Sequence, residues 1–111
     1  MTAKPVAGPP GRLLDLFAEA GLSRERGELH SAGVSLREIA EEVGTPVFVY
    51  NAEAVRARYR ILDEALDAVP HRICYAVKAN SNLAILRILR ELGSGADIVS
   101  VGARTELTQD A

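Results

Sequence analysis

The sequence predicts an α/β fold with a parallel sheet, and two observations carry that prediction. An apolar strand pattern over Ile73-Cys74-Tyr75-Ala76-Val77-Lys78 is followed by a helical pattern from Leu83 to Leu92 and a second strand pattern from Ala96 to Val101. The connections are short, with Gly93-Ser94-Gly95 turning the chain into the second strand. Strand, helix and strand in this order form a βαβ crossover, which joins parallel neighbours and turns right-handed.

The elements follow in chain order. Residues 1–11, with three prolines and two glycines, are too rich in both for regular structure and are expected to be a disordered tail. Leu13, Leu14, Leu16, Phe17 and Ala20 form a short amphipathic pattern ending at Gly21. Ser35-Leu36-Arg37-Glu38 is a capping box: the Ser35 hydroxyl can accept from the Glu38 amide, Val34 and Ile39 are spaced as a hydrophobic staple, and Gly44 suits the helix exit. Thr45-Pro46 stops that helix, and Val47-Phe48-Val49-Tyr50 reads as a strand.

Asn51 can cap a longer helix in which Val55, Tyr59, Leu62, Leu66 and Val69 recur at helical spacing, and Pro70 ends it. In the strand from Ile73, alternation places Ile73, Tyr75 and Val77 on one face and Cys74, Ala76 and Lys78 on the other. The bulky face is expected under covering helices and the small face in a crowded interior. Asn82 or Ser81 can cap the helix Leu83–Leu92, whose apolar face carries Leu83, Ile85, Leu86, Ile88, Leu89 and Leu92, and Gly93 suits its left-handed exit.

Lys78 is the residue that points to chemistry. It stands where an apolar strand gives way to the polar turn Ala79-Asn80-Ser81-Asn82, and ligands of parallel sheets gather at the carboxyl ends of the strands. A lysine in a crowded interior is costly unless paired or solvated, and desolvation favours its neutral, nucleophilic form. Schiff-base lysines need that form. His30 and His71 read as ordinary surface or turn residues.

Composition excludes several classes. Hydrophobic residues at 48% and charged residues at 25% are near globular averages, and a net charge of −2 gives no electrostatic reason to expect a nucleic-acid partner. Cys74 is the single cysteine, so neither a disulfide framework nor a metal-binding set is expected. No apolar run approaches the roughly 20 residues that cross a bilayer, so no membrane association and a cytoplasmic location are expected.

The segment Tyr75 to Gly93 resembles the pyridoxal-phosphate attachment segment of the fold type III decarboxylases that act on diaminopimelate, ornithine and arginine. The likeness lies in an aromatic residue three before the lysine, Ala79-Asn80 after it, the aliphatics Ile85, Leu86 and Leu89, and Gly93. Within that group, Ala79-Asn80-Ser81-Asn82, Gly44-Thr45-Pro46-Val47-Phe48-Val49-Tyr50 and Gly33-Val34-Ser35-Leu36 look most like the diaminopimelate-acting branch, and the resemblance runs from about Leu29 to Ser100. It implies an alanine-racemase-like (β/α)8 TIM barrel, of which this chain holds the N-terminal part. A preceding strand, Val47–Tyr50, belongs in the family to a C-terminal β domain.

The resemblance further implies pyridoxal 5′-phosphate as cofactor, attached to Lys78, with Asp97 near it as a second cofactor-binding residue whose charge favours a protonated nitrogen. The implied reaction is decarboxylation of meso-2,6-diaminopimelate to L-lysine, in lysine biosynthesis, by a homodimeric parent enzyme. The chain then divides into the tail 1–11, helices and a strand over 12–50, and a partial cofactor-binding barrel over 51–111. With 111 residues against roughly 250 for a complete barrel, the chain is expected to be an inactive N-terminal fragment. Its ending departs from the family's Ser-Gly-Gly-Glu-Leu, reading Ser100-Val101-Gly102-Ala103-Arg104, which leaves truncation, frameshift and divergence open. A non-catalytic interaction module is the alternative reading; another fold type III decarboxylase or a racemase is a further one.

Overall fold

The computed structural model describes residues 16–99. The chain divides into two compact units, Met1–Asn51 and Ala52–Ala111. The expected tail, and Leu13 and Leu14 of the expected first helix, lie outside the described residues, as do Ser100 and all that follows it.

In the first unit, residues 16–19 are helical and Gly21 leaves that turn at φ 75°. A side chain at Gly21 would collide with the amide of Asn51, which donates to the Gly21 carbonyl at 3.3 Å. The chain then forms three antiparallel strands in the order β1 (Leu22–Glu25), β2 (Glu28–Ser31) and β3 (Val34–Ser35). Glu25 faces Glu28 and Ser31 faces Val34, so each hairpin is closed by two residues. Those residues, Arg26-Gly27 and Ala32-Gly33, all have positive φ, the geometry that matches the twist of tight hairpins.

Ser35 ends β3 and caps α1 (Leu36–Val43), accepting from the Glu38 amide at 3.4 Å as the capping box predicts. Gly44, at φ 90°, closes the helix by donating to the Ala40 carbonyl at 2.9 Å. Arg37 pairs with Glu28 at 3.0 Å and ties α1 to β2. The expected strand Val47–Tyr50 is not formed: these residues have no strand partner among the described residues, and Phe48 is 88% exposed. β-Propensity without a ladder to complete does not make a strand.

The second unit contains the predicted crossover. It runs α2 (Ala52–Ala65), β4 (Cys74–Ala76), a single 3-10 turn over Val77–Ala79, α3 (Leu83–Glu91) and β5 (Gly95–Asp97). Asn51 immediately precedes α2, and after Ala65 the chain continues in turns toward Pro70, with Leu66 and Val69 donating to the carbonyls of Leu62 and Leu66. β4 and β5 are parallel, pairing Cys74 with Gly95, Tyr75 with Ala96 and Ala76 with Asp97. Both strands are shorter than their sequence patterns, because the chain coils into the 3-10 turn at Val77 and leaves strand pairing after Asp97.

The core of this unit is Val77, Ile85, Leu86 and Leu89, all at 7% exposure or less. Three of the six residues on the expected apolar face of α3 are therefore buried, while Leu83 remains 43% exposed at the first turn. Each buried aliphatic side chain contributes about 1.5–3 kcal/mol by leaving water. α2 packs against α3, and Arg56 of α2 reaches both Glu53 at 2.8 Å and Glu91 of α3 at 3.9 Å. α3 closes with Gly93 at φ 90°, its amide donating to Arg90 and the Ser94 amide to Leu89, both at 3.0 Å. That pair of bonds is the Schellman motif, which satisfies carbonyls the helix leaves open.

Candidate functional site

The turn between β4 and α3 is built by four successive anchors. Tyr75 is held in the strand pair opposite Ala96. Val77 is 1% exposed and fixes the floor of the turn by packing. The Tyr75 hydroxyl reaches across it and donates to the Asn80 carbonyl at 3.1 Å. The Asn80 side chain then accepts from the Asn82 amide at 3.0 Å, and the Asn82 side chain accepts from the Ala84 amide at 2.9 Å as the cap of α3.

Lys78 sits in the middle of that turn, one residue after the buried Val77, and is exposed. The sequence placed it at the end of a regular strand, on a face buried in a crowded interior. The structure places it instead on the 3-10 turn beyond β4. The small face is open because the sheet has two strands among the described residues, so no neighbour walls it: Cys74 and Asp97 are both exposed. The bulky face behaves as expected, with Val77 buried and Tyr75 half-buried.

Asp97 is the last residue of β5 and pairs with Ala76, which immediately precedes the lysine turn. In a parallel pair, both strands deliver their next residues to the same edge. The amine of Lys78 and the carboxylate of Asp97 therefore belong to the carboxyl edge of β4 and β5, which is the edge the sequence assigned to ligands.

The approach of the two strands depends on Gly95. A β carbon there would stand 2.8 Å from Cys74 Sγ and 3.1 Å from Arg72 Nε, so the thiol and guanidinium occupy the space a side chain would need. The Gly95 amide donates to the Ile73 carbonyl at 2.9 Å and starts the pairing.

Sequence reasoning missed one titratable pair. His71 Nε2 lies 2.8 Å from Asp63 Oδ1, and its Nδ1 lies 2.9 Å from the Val69 carbonyl oxygen. Both partners are acceptors, so the imidazolium, which donates from both nitrogens, satisfies the arrangement. The Val69 carbonyl first, and then Asp63, raise the His71 pKa above 6.5. Asp63 is eight residues away, brought close by the turns that follow α2, which no local spacing rule would find. His30 Nδ1 lies 3.3 Å from the Glu28 carbonyl oxygen in its own strand.

Among the described residues, no group of three or more histidine, cysteine, aspartate or glutamate side chains could hold a metal ion, and no helix is long and apolar enough to cross a membrane.

Comparison with known proteins adds the family. Residues 52–109, more than half of the chain, match the pyridoxal-binding domain of the pyridoxal-dependent decarboxylases. The chain is 53% identical over 76 residues to the diaminopimelate decarboxylase of Pseudomonas fluorescens, an overlap of 68% of this chain and 18% of that protein. It is similar to the crystal structure of diaminopimelate decarboxylase from M. jannaschii, with a TM-score of 0.78 and 33% identity over 84% of this chain and 23% of the other. The complex of the M. jannaschii enzyme with L-lysine gives a TM-score of 0.77 at 33% identity, covering 82% of this chain and 22% of the other. The chain thus spans 18% of the length of the Pseudomonas relative.

Proposed function

Because the chain belongs to the pyridoxal-dependent decarboxylase family through that pyridoxal-binding domain, we propose that it carries the cofactor-anchoring segment of an enzyme that decarboxylates meso-2,6-diaminopimelate to L-lysine. The observation that carries this reading is the placement of Lys78: a primary amine, exposed, on a turn pinned at the carboxyl end of a parallel strand inside the matched segment. The substrate is assigned by similarity to relatives named diaminopimelate decarboxylase, and the L-lysine complex of the M. jannaschii enzyme is consistent with L-lysine as product.

The residues present fit pyridoxal phosphate. An amine able to condense with an aldehyde and a carboxylate able to favour a protonated nitrogen share one sheet edge, and both are open to a ligand. When bound, the cofactor supplies an electron sink for the carbanion left when carbon dioxide departs. Lys78 provides the attachment amine. Asp97 adds a fixed negative charge to the same edge. Val77, Tyr75, Asn80 and Asn82 hold the backbone that presents the amine, so that less orientation must be found at the moment of reaction.

In the same reading, β4, α3 and β5 are the first part of an alanine-racemase-like barrel, in a cytoplasmic parent that pairs as a homodimer. Anchoring of the cofactor phosphate, the ring-nitrogen partner and the substrate contacts are assigned to the remainder of the parent, since this chain corresponds to 18% of the Pseudomonas relative. That same coverage favours a second reading of the 111-residue chain taken alone, as non-catalytic. The test is release of labelled carbon dioxide from meso-diaminopimelate by the parent enzyme and by this chain, each with added cofactor and each beside Lys78→Ala. Turnover is expected from the parent, abolished by Lys78→Ala, and none from the chain alone. A parent whose turnover survives Lys78→Ala would contradict the proposal.

A further inference from the structure

We propose that Tyr75 is a positioning residue for Lys78, acting through its hydrogen bond to the Asn80 carbonyl; this deepens the reading of Lys78 as the cofactor anchor and rests on it. Between the end of β4 at Ala76 and the start of α3 at Leu83, the described regular structure is a single 3-10 turn over Val77–Ala79, too short to fix the segment without further anchors. Val77 holds its beginning by burial at 1% exposure. Tyr75 holds its far side: the phenol, rooted in the strand pair opposite Ala96, donates to Asn80 at 3.1 Å, five residues on.

Lys78 lies between these two anchors. Asn80 has left helical geometry, at φ −163° and ψ 114°, so its carbonyl is available to a side-chain donor instead of continuing the 3-10 turn. Beyond it, the Asn80 and Asn82 side chains pass the constraint to the first turn of α3. The phenol is therefore the link between the strand and the far end of the loop, and removing one oxygen atom opens that link while leaving the ring to pack.

The sequence supplies an internal reference for the test, because Lys4 is the only other lysine. The full 111-residue chain is treated with pyridoxal phosphate, trapped with borohydride, and the ratio of label on Lys78 to label on Lys4 is read by peptide mass spectrometry. A parallel sample is acetylated with acetic anhydride, a reagent small enough to need no orientation. In Tyr75→Phe the pyridoxal-phosphate ratio is expected to fall roughly fivefold, the scale of one neutral hydrogen bond, while the acetylation ratio stays at its wild-type value.

An unchanged pyridoxal-phosphate ratio overturns the proposal, as does an equal fall with both reagents, which would mean that the turn has only become generally looser. Circular dichroism reports whether Tyr75→Phe folds. If it does not, Asn80→Gly, which keeps the phenol and loosens the accepting residue, is read by the same criteria. A parent holoprotein that carries no pyridoxyl label on Lys78 after borohydride reduction refutes the cofactor reading itself, and this proposal with it, before any variant is made.

Discussion

His71 holds Asp63 at 2.8 Å through Nε2 while its other ring nitrogen faces the Val69 carbonyl, so one imidazole clips the turns after α2 back onto the end of that helix. The arrangement is complete only when both nitrogens carry protons. A histidine whose folded pKa lies above 6.5 contributes stability that is fully present below the unfolded value and is lost as pH rises through the raised one. Thermal melts between about pH 6 and pH 9 should therefore show wild-type stability falling toward that of His71→Gln. Parallel curves for the two proteins across that range would show that the clip is not coupled to protonation.

The cap of α3 is a single side chain. Asn82 accepts from the Ala84 amide at 2.9 Å, and Asn82→Ala should cost about 1 kcal/mol in denaturant unfolding. Asn82→Asp preserves the acceptor and should retain most of that stability. An alanine variant as stable as wild type would mean that solvent caps the helix equally well.

The helix exit is equally specific. Gly93 sits at φ 90° within the Schellman motif, a region that residues with a β carbon rarely adopt, so Gly93→Ala should destabilise by about 1 kcal/mol. The same change at Ala84, inside α3 and exposed, made in reverse as Ala84→Gly, should cost a similar amount for the opposite reason, lost helix propensity.

Strand pairing offers a coupled test. Gly95→Ala would drive a methyl group to 2.8 Å from Cys74 Sγ, closer than a carbon atom is tolerated. It should be destabilising alone and markedly less so when combined with Cys74→Ala, which removes the sulfur. Strictly additive effects in this double-mutant cycle would show that the clash is relieved elsewhere.

The parts of the fold that were legible in the sequence are those decided locally. The Ser35 and Asn82 caps, the Gly44 and Gly93 exits and the βαβ order each depend on residues a few positions apart. The two hairpins over 22–35 were not read, because Arg26-Gly27 and Ala32-Gly33 lack the usual asparagine or aspartate before glycine and the strands between them carry few apolar residues to alternate. Val47–Tyr50 was read as a strand from side-chain preference and from a resemblance that pairs it within a C-terminal β domain, and neither supplies a partner among the described residues. The position of Lys78 in the chain marked it as the reactive candidate, but its exposure depends on how many strands stand beside β4. The Tyr75 to Asn80 bond was hidden for a similar reason: a tyrosine in an apolar strand reads as packing until the turn it spans is seen.

The central claim is that Lys78 anchors pyridoxal phosphate. Borohydride reduction of the parent holoprotein, followed by peptide mapping of the pyridoxyl group, tests it most directly. The label is expected on Lys78, in the peptide containing Tyr75 and Asn80, and absent from that peptide in Lys78→Ala. Label confined to Lys4, or to a lysine outside residues 52–109, would contradict the account.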